Sequence, residues 1–336
     1  MFSTGFPFYL APMDDITNPV LRALIAQTLP KDVSMVFFSP AINPNSIVNR
    51  HHARDEDVPI NPGEKLIYNI MSGESDLILK AMDLLLKNNP AGFNLNCGCP
   101  RGKIQTAGRN PCGVALMERP DLVAQIIREA KKVFPCIHFS VKIRIGVKRD
   151  IPKLLSFCGM VQEQGADALI LHPRTGEEQF TRPVDNGLYN QVRQTLTIPL
   201  VGNGDVLDDE EALALKQRYG LNGVMIGRGA LAHPCIFRAI ALRLQGERTR
   251  SFLEEPMMTW DERRDFLLQY LTGLNERYGE ALTLKRFRLF CEWFRRGMEF
   301  GLVLRGPLVK AKSLHEMQDA IQKFFFTNKK QILSLV

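Results

Sequence analysis

Eight short apolar runs, each followed by a longer stretch of mixed polarity, occupy the first 240 or so residues of this 336-residue chain, and few folds accept that pattern. The runs are FYLAPM (8–13), SMVFFS (34–39), KLIYNIM (65–71), GFNLNC (92–97), HFSVKIR (138–144), ALILHPR (168–174), PLVGNG (199–204) and GVMIG (223–227). Their continuous apolar character predicts strands buried on both faces, as in parallel sheets. Between them, 18–28, 75–87, 119–133, 151–164 and 208–219 read as amphipathic helices. Repeated strand–helix alternation predicts parallel strands joined by crossover helices, and eight strands close a barrel more readily than they extend an open sheet. The expectation is therefore an α/β fold, a (β/α)₈ TIM barrel. The second crossover, 40–64, is rich in Pro, Asn and His and reads as loop.

After a Gly/Arg/Glu-rich stretch the pattern changes to helices alone, at about 259–277, 281–299 and 313–326. This predicts a barrel domain over 1–245, a linker over 246–258 and a C-terminal all-helical bundle over 259–336. Charge follows the same division. The chain carries a net charge of +7, and residues 259–336 hold 14 Lys and Arg against 9 Asp and Glu, a surplus of five. Such a concentration suits a polyanion-binding surface, although a merely solvated face has the same composition. No run reaches the eighteen apolar residues of a membrane span. The start, MFSTGFPFYLAPM, lacks the marks of a secretory signal. Seven scattered cysteines without a C-x-x-C pair suggest reduced thiols, and a cytoplasmic location is expected.

A barrel of this kind builds its active site at the C-terminal ends of its strands, and the polar residues fall there. The first strand closes with Pro12, Met13 and Asp14, the third near Asn69, and the fourth with Asn94, Asn96, Cys97 and Cys99. The fifth gives Lys142 and Arg144, on one side of the strand, and the sixth gives His172 and Arg174. The last two strands end in Gly202-Asn203-Gly204-Asp205 and Gly227-Arg228-Gly229. Glycines admit a phosphate close to backbone N–H groups, and Arg228 is suited to a bidentate contact, although glycines also serve tight turns. Lys142 and Arg144 call for anionic partners: either a structural ion pair or a bound electron-rich ring. The amide of Asn96 offers donor and acceptor to a base edge. Cys99, set before Pro100, is the candidate general acid, whereas Cys97 is expected to pack. Cys97, Cys99 and Cys112 lack a fourth ligand at a usual metal spacing, so no metal is expected.

Taken together, Ala-Pro-Met, Asn-x-x-Cys-Pro, Val-Lys-Ile-Arg, His-x-Arg-Thr, Gly-Asn-Gly-Asp and Met-Ile-Gly-Arg-Gly-Ala resemble the tRNA-dihydrouridine synthases, in family order over about 8–240. Asn-Cys-Gly-Cys-Pro and the segment RFRLFCEWFRR (286–296) resemble most the bacterial subfamily C enzymes, which modify uridine 16. The resemblance implies an FMN enzyme that uses NADPH to reduce a tRNA uridine to dihydrouridine. It implies that Pro12, Met13, Asp14 and Asn69 line the flavin, that Lys142 and His172 contact it, and that Asn203, Gly204, Asp205, Gly227 and Arg228 hold its phosphate end. Cys99 becomes the proton donor. Asn96, Arg144 and Arg174 become substrate contacts. On the helical tail Lys285, Arg286, Arg288, Arg295 and Arg296 are expected to grip tRNA, with Phe287, Phe290, Trp293 and Phe294 facing the bundle core. Partners are tRNA alone, without DNA or membrane, for a monomeric protein. Three positions depart from the family pattern: Asn69 stands in place of glutamine, Pro173 follows His172 in place of glycine, and the loop 106–113 carries Arg109, Asn110 and Pro111. Two other readings fit parts of the pattern. One is an FMN barrel oxidoreductase acting on a small molecule, which has no need of the basic tail; the other is a non-catalytic tRNA-binding protein.

Overall fold

The structure, a computed structural model, describes residues 5–50, 63–100, 111–248, 250 and 257–333. His51, His52, Arg54 and most of the loop from Thr106 to Gly113 lie outside them. The elements run β1 (Phe8–Leu10), α1 (Pro19–Thr28), β2 (Val36–Ile42), α2 (Pro44–Arg50), β3 (Lys65–Ile70), α3 (Ser75–Leu86), β4 (Gly92–Cys97), α4 (Pro120–Val133), β5 (Phe139–Ile143), α5 (Ile151–Glu163), β6 (Ala168–Leu171), α6 (Leu188–Thr195), β7 (Leu200–Asn203), α7 (Asp209–Arg218) and β8 (Gly223–Ile226). All eight strands pair in parallel in chain order, and β1 returns to β8 to close the barrel. The crossover read as loop in fact contains α2, and β2 extends to Ile42.

Register decides which side chains face the barrel axis. Ile67 pairs with Gly92, Asn69 with Asn94, Asn94 with Ser140, Asn96 with Lys142, Lys142 with Ile170, Ile170 with Val201 and Asn203 with Met225. Because successive side chains of a strand point to opposite faces, all of these share one face. It is the face of the inner core, where Tyr9, Ala11, Phe38, Ile67, Ala168, Ile170, Val201 and Met225 pack together. The inner face thus begins apolar and turns polar toward the C-terminal strand ends.

One irregularity matters for that polar layer. Pro40 interrupts β2, and the β2–β3 register shifts between Phe38 and Ala41. A proline supplies no ladder N–H. The hydroxyl of Ser39 stands in, accepting the Asn69 N–H at 3.0 Å while donating to the Pro40 carbonyl at 2.8 Å.

The chain divides into two compact units, and the boundary differs from the one expected near residue 245. The first comprises Met1–Pro19, Ser34–Val206 and Ala212–Gly227; the second comprises Val20–Val33, Leu207–Glu211 and Arg228–Val336. In the second unit α8 (Arg228–Ala232), α9 (Ile236–Leu244), α10 (Trp260–Tyr278), α11 (Glu280–Phe294), α12 (Gly301–Lys310) and α13 (Leu314–Leu333) follow one another. A capping box starts α10: Thr259 accepts the Glu262 N–H, and Glu262 accepts the Thr259 N–H. Rings of Phe266, Tyr270, Phe287, Phe290 and Phe294 stack along α10 and α11, with neighbouring centroids 4.7–6.2 Å apart. This is the aromatic core expected of Phe287, Phe290 and Phe294, whereas Trp293, expected there too, is only half-buried. No described helix is long and apolar enough to cross a membrane.

Candidate active site

The site grows from the end of β4. Asn96 is buried, and its side-chain oxygen accepts the N–H groups of Gly98 at 3.1 Å and Cys99 at 3.0 Å. The amide therefore folds the strand end into a turn that carries Cys99. Its acceptor is committed to that turn, which leaves the Nδ2 half for any base. The carbonyl of Cys99 accepts the Val114 N–H at 3.0 Å. Glycine is required opposite: Gly113 has φ +59°, and a Cβ there would sit 2.5 Å from the Cys99 carbonyl oxygen. Cys99 keeps partial exposure, while Cys97 is buried and its thiol pKa is pushed up by desolvation. The two cysteines divide as the sequence suggested, one presented and one packed.

Lys142 faces the same space from β5, paired in register with Asn96. The residue as a whole is half-buried, and its ammonium sits deep among the strand ends. Desolvation, reinforced by the Arg144 charge, lowers its pKa to about 7; proximity to Cys99 acts in the opposite sense. A lysine so placed is an incomplete site, since an anion beside it would restore its charge.

Next to Lys142 the inner layer holds a chain of amides. The Ser140 hydroxyl donates to Asn94 Oδ1 at 3.0 Å, and Asn94 Nδ2 donates to Asn69 Oδ1 at 2.9 Å. Asn69 Nδ2 then ends the chain as a buried donor that finds no acceptor among the described residues. Asn94 stands among the polar strand ends that the sequence marks, whereas Ser140 lacks a signal of its own there. Only the register shows them to be inward neighbours.

Arg144 and Arg174, expected at the substrate, are both engaged by protein partners. Arg144 is buried; its Nε donates to the Gly98 carbonyl at 2.9 Å, and its Nη1 donates to the Thr175 and Gln179 carbonyls at 2.9 and 3.0 Å. It ties the Cys99 turn to the loop after β6. Arg174 is buried as well, pairs with Asp205, donates through Nε to the Arg182 carbonyl and lies 3.1 Å from His172 Nε2. Asp205, expected at the phosphate, is thus the partner of Arg174, and it also accepts the Val184 N–H at 3.2 Å. Spacing alone does not reveal these partners: the loop after β6, residues 172–188, supplies the Thr175, Gln179 and Arg182 carbonyls, while Asp205 comes from the end of β7.

At β7, Asn203 is buried and spends its Nδ2 on the Met225 carbonyl at 2.8 Å, while its own N–H and carbonyl meet the Tyr189 hydroxyl at 3.0 and 3.2 Å. Gly204, at φ +126°, follows with the His172 ring directly against it; a Cβ would come 2.9 Å from that ring. Gly227 lies at the end of β8, where a Cβ would meet only Ala11 and the Met13 sulfur at 3.5 and 3.8 Å. From β1, Pro12 and Met13 are half-buried, and exposed Asp14 accepts the Ala41 N–H at 3.1 Å. Thr17 steadies this turn by exchanging hydrogen bonds with the backbone of Met13 at 3.1 Å.

The remaining predicted residues fall in the second unit. Arg228 opens α8 with its guanidinium over Trp293, 5.3 Å from the ring centroid, and Arg296 covers the same indole at 4.2 Å. Of the expected tRNA contacts, Arg286 is buried against Tyr278 at 4.0 Å, Arg288 donates to the Leu308 and Ala311 carbonyls, and Arg295 pairs with Glu292 at 2.8 Å. These three serve the bundle itself. Lys285 and Arg296 are exposed, as are Arg305, Lys310 and Lys312. No group of three described His, Cys, Asp or Glu residues is placed to hold a metal.

Comparison with known proteins gives these strand ends a lineage. The tRNA-dihydrouridine synthase B of Pseudomonas putida is 26% identical over 324 residues, which cover 96% of this chain and 92% of that protein. A probable tRNA-dihydrouridine synthase of Mycobacterium tuberculosis is 27% identical over 322 residues, covering 93% of this chain and 80% of the relative. Among solved structures, that of TcOYE with pHBA superposes with a TM-score of 0.49 at 9% identity, over 73% of this chain and 90% of that one. The family described as dihydrouridine synthase (Dus) matches residues 9–330, nearly the whole length, and the chain belongs to that family.

Proposed function

We propose that this protein is a flavin enzyme that reduces one uridine of the tRNA D-loop, uridine 16, to 5,6-dihydrouridine with NADPH as reductant. The observation that carries the reading is the shared inner face of Asn96, Lys142 and Asn203, with the His172 ring against Gly204 and Cys99 presented from a turn that Asn96 folds. The residues fit an FMN. A buried donor at Asn69 awaits an acceptor, a lysine with a depressed pKa awaits negative charge, and Gly227 leaves room beside the backbone. Pro12, Met13, Asn69, Lys142 and His172 would hold the ring and its chain. The backbone at Asn203, Gly204 and Gly227 would hold the phosphate.

When bound, FMN supplies the hydride that C6 of the uracil receives. The chain's own work is placement and protonation. Asn96 Nδ2 orients the base, which must leave its stack to enter. Cys99 Sγ–H delivers the proton to C5, so one hydride and one proton saturate the 5,6-bond. Lys142 holds positive charge where the electron-rich ring lies. Arg144 keeps the Cys99 turn and the loop after β6 in one arrangement. The bundle over 259–336 binds tRNA through exposed cations such as Lys285 and Arg296, the barrel domain is catalytic, and the protein works as a cytoplasmic monomer.

The test supplies the flavin-loaded protein with unmodified tRNA transcript and either NADPH or NADH, then maps dihydrouridine. Product confined to position 16, with NADPH preferred, is the expected result. Equal reduction of free uridine would favour a small-molecule oxidoreductase, and no product with any tRNA would leave only a binding protein.

A further inference from the structure

We propose that Arg174 is a positioning residue that dictates where His172 carries its proton, fixing the imidazole as the neutral tautomer with hydrogen on Nδ1. The geometry leaves one choice. Arg174 Nη1 stands 3.1 Å from His172 Nε2, and a guanidinium has donors only. It also keeps its charge at any pH a protein survives. Nε2 must therefore present its lone pair. A proton there would face another N–H across a hydrogen-bond distance, and an imidazolium would add repulsion between two cations.

Arg174 cannot turn aside to relieve such a conflict. It is 2% exposed, its Nη2 pairs with Asp205, and its Nε donates to the Arg182 carbonyl. Asp205 is fixed in turn. It accepts the Val184 N–H, and its backbone is left-handed at φ +51°, directly after Gly204 at φ +126°. Gly204 also sets the ring's position, because a side chain there would strike both Val184 and the imidazole. One arginine thus clamps the ends of β6 and β7 and assigns the tautomer of the histidine between them. A buried ion pair is a poor source of net stability, so a role in fixing one arrangement accounts better for it.

The functional consequence rests on the flavin reading: His172 offers FMN an uncharged N–H donor through Nδ1 and adds no positive charge to that of Lys142. The test is nitrogen NMR of the full-length protein with labelled histidine, with and without FMN, the His172 signals being assigned by their loss in His172→Gln. A protonated Nδ1 and a bare Nε2 are expected in the flavin-free protein, with the Nδ1 proton shifting when FMN is added. Arg174→Met should release the ring toward the Nε2–H form that free imidazole prefers, and should weaken FMN binding about tenfold, as loss of one aligned donor does. Asp205→Asn should keep the wild-type tautomer, because its amide oxygen still accepts from Arg174. A protonated Nε2 in the wild-type protein overturns the proposal, and this measurement needs no variant to fold. An unchanged tautomer in Arg174→Met also overturns it. A correct tautomer whose Nδ1 proton ignores added FMN, or a protein that binds no FMN, refutes the link to flavin and leaves the Arg174–His172 assignment standing.

Discussion

Lys142 shows how far one side chain's energetics can be set by what the site is built to hold. Its pKa of about 7, against an ordinary lysine near 10.5, means that the unfolded chain binds a proton which the flavin-free fold does not, over roughly pH 7 to 10.5. Stability therefore rises with pH across that window, and the penalty is complete below about pH 7. Lys142→Met should raise the melting temperature of flavin-free protein most near pH 6 and hardly at all near pH 10.5. The same variant should bind flavin more weakly, a trade of stability for function. Thermal scans at several pH values, paired with flavin titrations, check both halves. Cys99 is the complementary case. Its proposed task is the proton, and alanine keeps its backbone and Cβ, so Cys99→Ala should keep its flavin and its melting temperature while turnover falls roughly 10²–10⁴-fold. Undiminished single-turnover reduction of tRNA by that variant would remove Cys99 from its role. Cys99 and Lys142 could be read from sequence because their own strands place them. Arg144 and Arg174 could not, because their partners come from positions up to 46 residues away.

At the scale of elements, the eight strands were legible because each is a compact apolar run with a polar end, and register then follows from barrel closure. Elements that break local rules were not. Helix α12 contains Pro307 and Gly306 and begins after Phe300 in a left-handed conformation, so its sequence reads as a connection. Tertiary partners make it a helix: Leu304 and Leu308 are buried, and Arg288 of α11 takes up the carbonyls of Leu308 and Ala311 at its end. The helix expected to run to residue 299 stops at Phe294 for a related reason, since Arg295–Gly297 tighten into a 3₁₀ turn. The turn carrying Cys99 offers the sharpest test at this scale. Gly113→Ala meets two obstacles, a left-handed backbone costing about 1–2 kcal/mol and the Cys99 carbonyl 2.5 Å away. Gly220→Ala meets only the first, with φ +58° and open space around it. Both variants should lose comparable backbone stability by chemical denaturation, but only Gly113→Ala should also lose turnover at saturating tRNA. Equal activity in the two would mean that the Cys99 turn tolerates displacement.

Across the whole molecule the sequence places a surplus of positive charge in the last 78 residues, but a count of cations does not say which of them meet solvent. The fold divides them. Arg286 is buried on Tyr278, Arg288 fastens α12 and Arg295 answers Glu292, whereas Lys285 and Arg296 are exposed. These two groups should respond to different measurements. Each phosphate contact releases condensed counterions, so the logarithm of affinity falls with the logarithm of salt by about 0.7–0.9 per contact. Replacing Lys285 and Arg296 together by Gln should weaken tRNA binding at low salt and flatten that slope by roughly 1.5, with the melting temperature unchanged. Arg286→Met should do the reverse, leaving the slope intact while shifting stability, because its charge sits inside the bundle. Stacking of Arg296 on Trp293 sharpens the contrast, since the indole holds the guanidinium in place and limits the entropy lost when a phosphate arrives. Trp293→Leu should accordingly cost affinity without changing the slope, as the number of charges released stays the same. A slope that follows Arg286 instead of Lys285 and Arg296 would move the tRNA footprint to another face of the protein.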